Sequence, residues 1–199
     1  EIKWRLIGRL SFPIFAFLIA EGYEKTSRLK FYIFRLLIFG IISQPIFQFI
    51  FKTKEINIFF TLFLGLISIL VFDKIKSKKL GWLVIILISI IAHFLKFDYG
   101  AYGVILIFSF WFYKKESDFL KLLIFQIFLV TFYIFIEKTR LTDGFSPMNN
   151  YHFIQYLSLF ALFFIYLYNG RRGRKTKYLF YAFYPGHLLI LAIIKYFLK

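Results

Sequence analysis

The chain has no cysteine among its 199 residues. Disulfides, a thiolate nucleophile and a Cys-ligated zinc are therefore excluded together. Histidine is nearly as scarce: His93, His152 and His187 stand far apart in sequence, and no metal site is expected from them. Acidic residues number 10 against 26 Lys and Arg, for a formal net charge of +16. No P-loop and no G-x-G-x-x-G occurs, so nothing supports nucleotide hydrolysis. Strict polar–apolar alternation is also missing. "FFTLFLGLISILVF" and "WLVIILISIIAHFL" do not alternate, which excludes a membrane β-barrel.

What is present is apolar bulk. Hydrophobic residues make up 60% of the chain, 31 of them Phe, and mean hydropathy is +0.73. Long apolar runs recur from end to end with short charged connectors between them, the pattern of a polytopic membrane protein. In hydrocarbon each backbone N–H and C=O must be paired within its own segment, so the runs are read as helices. The expected fold is all-α, a single transmembrane bundle of about eight spans. These cover 6–23, 31–51, 56–73, 80–96, 100–113, 119–136, 151–168 and 178–198. The 100–113 run is short and fits a helix buried among the others.

The connectors set the orientation. Lys25, Arg28 and Lys30, then Lys74, Lys76, Lys78 and Lys79, then Lys114, Lys115 and Lys121 occupy three alternate loops. Arg171, Arg172, Arg174, Lys175 and Lys177 occupy the fourth. The intervening loops hold only Lys52, Lys54, Lys96, Lys138 and Arg140. By the positive-inside rule the first set is cytoplasmic. The basic residues sit in brief connectors, not on one continuous face, so membrane orientation and anionic lipid headgroups explain them and nucleic acid does not. The chain opens on Glu1 and its sole methionine is Met148, so a further N-terminal span upstream is expected.

Polar groups inside apolar runs are the candidates for chemistry, because hydrocarbon penalises them. In "KYLFYAFYPGHLLILAIIKYFLK", His187 lies roughly 15 Å along the helix from Tyr178, near mid-membrane. Pro185 frees a carbonyl beside it. The ring is either a structural histidine or an imidazole aimed into a cavity. Glu21 and Arg35 sit on successive runs joined by a short connector. They form either an ion pair that fastens two helices or, for Arg35, a contact to a phosphate-bearing ligand. The loop "YNGRRGRKTK" suits lipid headgroups or a multiply charged anion. Arg9, Asn57, His93, Asp98, Tyr99 and His152 fall on the opposite side. Asp98, followed by Gly100 and Gly103, is an acid, a base or a solvated loop residue. Gln44, Gln48 and Gln126 are read as interhelical hydrogen-bonders.

Four blocks, G-R-x-x-F-P-x-F-A-F (8–17), E-G-Y-x-x-T (21–26), D-Y-G-A-Y-G (98–103) and Y-P-x-H-L (184–188), occur in an order that resembles the TraX family of bacterial membrane proteins. The resemblance runs from about Ile2 to Leu191. It implies a membrane acyltransferase of the bacterial inner membrane, whose named family member acetylates a conjugative pilin N-terminus with acetyl-coenzyme A as donor. On the matching positions it implies catalytic roles for His187, Asp98 and Arg9. Donor contacts are implied from Arg35, Glu21, Asn169, Arg171, Arg172, Arg174 and Lys177. Family members usually begin with another helix bearing an Asp-His pair, which this chain lacks. A transporter or flippase, and a non-catalytic assembly partner for a surface appendage, remain the competing readings.

Overall fold

The computed structural model describes residues 2–116, 118–141, 155–171 and 177–197; the side chains of 2–8, 115–116, 137–141 and 177–178 are not described. Eight α-helices account for nearly all of it. They are α1 (Ile2–Lys25), α2 (Leu29–Phe51), α3 (Ile58–Lys74), α4 (Lys78–Phe94), α5 (Gly100–Glu116), α6 (Phe119–Leu141), α7 (Ala161–Tyr166) and α8 (Lys177–Phe197). A 3₁₀ turn, Leu157–Phe160, leads into α7.

The expected runs and the observed helices agree in place but not in kind. Among the described residues, three helices are long and apolar enough to cross a membrane: Leu29–Phe51, Phe119–Ile136 and Leu179–Phe197. Helices α3, α4 and α5 have 17 residues each, below the ~20 that a perpendicular span requires. The run expected at 151–168 is the clearest difference. Where described, it is helical at Gln155 and Tyr156, tightens to a 3₁₀ turn over Leu157–Phe160 and continues as the six-residue α7. The polar side chains of Gln155 and Ser158 interrupt its apolar character and are turned inward.

α5 is the axis of the bundle, packed against α1, α3, α4 and α6. Its residues Val104, Leu106 and Ile107 have no exposed surface at all. The short run read as an interior helix is therefore the interior helix. Small residues allow this closeness. A Cβ on Gly65 of α3 would lie 2.4 Å from the Ile107 side chain, and one on Gly103 would lie 2.5 Å from that of Thr61. Such contacts set helix separation where lipid supplies no hydrophobic drive. α8 packs on α2 at the periphery, with Leu188 buried against Phe47 and Ile50. The outward faces of α4, α6 and α8 are rows of exposed Leu, Ile and Phe, the surface expected of a protein solvated by acyl chains.

Candidate functional site

Two loops meet at the end away from the basic connectors, one from Lys52 to Asn57 and one from Leu95 to Tyr99. Main-chain bonds join them: Ile56 N–H donates to Lys96 O at 3.0 Å, and Asp98 N–H donates to Ile56 O at 2.7 Å. Two amides brace the first loop. Gln44 Nε2 donates to Glu55 O, and Gln44 Oε1 accepts from Asn57 N–H. Asn57 is fully buried, caps α3 by accepting from Phe59 N–H at 3.0 Å, and donates to Gly40 O at 2.7 Å. Thr61, one turn on, donates to the Asp98 carbonyl. The chain that carries Asp98 is thus held by its backbone from both sides.

Tyr99 follows at φ 61, with Gly100 at φ 42. A bulky residue in the left-handed region costs free energy and persists only where its surroundings hold it. Here Phe12 of α1 does so, its ring stacked on Tyr99 with centroids 3.8 Å apart and planes 10° from parallel. Arg9 is three residues before Phe12, hence on the same helix face. Its guanidinium faces the Tyr99 phenol and lies close enough to Asp98 for their charges to interact. Burial pushes the Asp98 carboxyl up to about 6, and the charge of Glu55 adds to this; Arg9 and the Tyr99 N–H pull the other way.

Deeper in, Tyr102 is buried, and its hydroxyl points at the side chains of Ser158 and Gln155. None of Tyr102 Oη, Gln155 Oε1 and Ser158 Oγ completes a hydrogen bond of good geometry. Three buried polar atoms left so are costly and call for an explanation. Tyr184 of α8 reaches the same region, its phenol oxygen facing the Ile58 amide and near Asp98 and Tyr99. A cavity of about 210 Å³ opens here, lined by Glu55, His93, Lys96, Asp98, Tyr99 and Tyr102 among others.

The basic end is built differently. Glu21, expected opposite Arg35, instead bonds Lys25 at 2.7 Å and Lys114 of α5, and Lys114 also holds Glu24 at 2.8 Å. The central position of α5 brings Lys114 nearer than the neighbouring helix brings Arg35. Lys25 goes on to donate to Tyr168 Oη at 3.2 Å and Gly170 O at 2.7 Å, tying the start of the 169–177 loop to α1. Asn169 accepts from Arg171 N–H at 3.0 Å. Arg35 lies between the rings of Tyr32 and Tyr181, at 5.8 and 5.5 Å, and its Nε is buried without a partner. Arg172, Arg174 and His152 lie outside the described residues, as does the side chain of Lys177, the first residue of α8.

Arg9 and Asp98 are therefore brought together, while His187 stands apart from them. Its Nδ1 is 2.9 Å from the Tyr184 carbonyl oxygen, its ring stacks on exposed Phe183, and it does not line the 210 Å³ cavity. Sequence reasoning missed Glu55, Tyr102, Gln155 and Ser158. The usable signal was the 155–158 pair, two polar residues three apart in an apolar run and so on one helix face.

The TraX family, described as TraX protein, matches residues 2–195. The chain belongs to the TraX family. A curated relative from Dichelobacter nodosus, named "Probable fimbrial assembly protein FimC, serogroup H1", is 27% identical over 211 residues, covering 98% of this chain and 84% of the relative. No solved structure matches. In this TraX chain the sequence blocks have become spatial neighbours. Arg9 and Phe12 from the first block and Tyr184 from the fourth gather around Asp98 and Tyr99 of the third, and Asp98, Tyr99 and Tyr102 line the 210 Å³ cavity. The second block, with Glu21, organises the opposite end.

Proposed function

We propose that the chain is a membrane-embedded acetyltransferase acting in pilus or fimbria biogenesis. It transfers an acetyl group from acetyl-coenzyme A to an amine or hydroxyl of a membrane or surface acceptor such as a pilin N-terminus. All eight helices lie in a bacterial inner membrane in this reading, with the basic loops cytoplasmic and against anionic headgroups. The observation that carries the reading is the Asp98 pocket in a TraX-family chain: a carboxyl raised to about 6, an arginine beside it and unsatisfied polar atoms behind it.

At neutral pH such a carboxyl is mostly ionised yet more basic than an ordinary aspartate, which suits a general base. Asp98 takes the proton from the acceptor as its nitrogen or oxygen attacks the thioester carbonyl. The C–S bond then breaks, and the departing coenzyme A thiolate takes that proton from Asp98. Arg9 and the Tyr99 hydroxyl stabilise the negative charge that develops on the acyl oxygen. Bound acetyl-coenzyme A supplies the activated acetyl group as a thioester. Arg35, with its buried Nε lacking a partner, fits a phosphate of that donor, joined by Lys25 and Arg171 at the same end. His187 acts from one turn beyond Tyr184 as an auxiliary group.

The test is mass spectrometry of pilin N-termini and surface lipids from cells carrying wild-type protein or Asp98→Asn. Loss of acetylation in the variant is the expected result. Acetylation that is unchanged in the variant would remove Asp98 from the mechanism. The name of the relative supports a second reading, a non-catalytic assembly role. It predicts that filament assembly fails without the chain while no acetyl group depends on it.

A further inference from the structure

α4 and α6 both pack on α5 and leave a groove between them, a cavity of about 430 Å³. Its walls are apolar, with Trp82 and Ile86 on α4, Ile105 and Phe108 on α5, and Phe125 and Phe132 on α6. From His93 to Trp82 it runs roughly 16 Å along α4, about half the hydrocarbon thickness of a bilayer. The groove is open on its outer side, where its lining residues Ile90, Phe94 and Phe132 are exposed.

At the end beside His93 the groove joins the Asp98 pocket. The two cavities share His93, Ala101, Ile105, Phe132 and Ile136. A greasy trench half a membrane deep thus ends in a chamber with two carboxylates, Glu55 and Asp98, and two cations, Lys96 and the nearby Arg9. Paired carboxylates suit an ammonium and the cations suit a phosphate. Ser89, 5% exposed on the groove wall, has an Oγ without a partner, a further polar contact along the path.

We infer that this continuous site binds a phospholipid bearing a primary amine. One acyl chain lies between α4 and α6, the amine sits at Glu55 and Asp98, and the phosphate sits at Lys96 and Arg9. Combined with the proposed function, the bound amine occupies the acceptor position, and that clause alone rests on the acetyltransferase reading. The binding does not.

The test is native mass spectrometry of detergent-purified full-length protein exchanged into phosphatidylethanolamine or phosphatidylglycerol with identical chains. The ethanolamine lipid should be retained about tenfold more, the size of one hydrogen bond to a charged group. Glu55→Gln with Asp98→Asn should bring the ratio to about one, and Ser89→Phe should abolish retention of both lipids at unchanged circular dichroism. Equal retention of the two lipids by wild type, or retention that survives Ser89→Phe, would overturn the site. Selective retention with no acetylated lipid in cells would leave the site standing and count against the lipid as acceptor.

Discussion

The two ends of the bundle handle their acids in opposite ways. At the basic end the buried acid Glu21 is answered by Lys25 and Lys114, and nearer the surface Glu24 shares Lys114 and Tyr23 donates to Asp73 at 2.8 Å. At the other end Asp98 stays uphill of its ordinary pKa despite Arg9, and three buried polar atoms of Tyr102, Gln155 and Ser158 complete no bonds. Paired charge fastens helices, and a fold gains nothing more from it. Polar groups held together without satisfaction cost stability, and such costs gather where a ligand or a reaction removes them.

The largest expected effect tests that contrast directly. Asp98→Asn should lower acetyl transfer by about 10²–10⁴-fold, the usual contribution of a general base, while expression and helix content hold. His187→Ala, away from the pocket, should lower it by much less; labelled-donor assays on both variants make the comparison. Glu21→Gln should do the reverse. It leaves Lys114 and Lys25 short of a partner and should cost about 1–3 kcal/mol by thermal unfolding in detergent, limited because both lysines are partly exposed. Turnover at saturating donor should change little, while the KM for acetyl-coenzyme A should shift, because Lys25 pairs with Glu21 at the proposed donor end.

pH separates the ends again. The Asp98 carboxyl is raised from 3.8 to about 6 in the folded chain. Its contribution to stability is therefore complete below about 4 and is lost as pH rises through about 6. The stability difference between wild type and Asp98→Asn should fall across that window, while activity, which needs the carboxylate, rises through it. The smallest effect belongs to Gly186, where an added Cβ meets nothing within 4 Å. Gly186→Ala should stabilise α8 by about 0.5–1 kcal/mol and leave transfer intact. A loss of activity there would show that the α8 backbone bends during turnover.

Much of the helical layout was readable because apolar runs and charged connectors report what lipid and water demand. Asp98 and Arg9 could be singled out for the same reason, as charges expensive to bury. Their partnership could not, since 89 positions separate them and only the packing of α1 on α5 closes the distance. Glu21 taught the converse. Chain proximity favoured Arg35 across a short connector, but a central helix from the middle of the sequence delivered Lys114. The orphaned hydroxyl of Tyr102 was invisible for another reason: which face of an almost wholly buried helix meets Gln155 and Ser158 is decided by rotation, and α5 has no polar side to fix it.

The two hydrogen bonds between Ile56 and residues 96–98 make the α2–α3 and α4–α5 corners into one rigid plate. Glu55 and Asp98 ride on that plate at a fixed separation. A molecule arriving from the lipid would meet a ready-made pair of acids, with no loop rearrangement needed to assemble them.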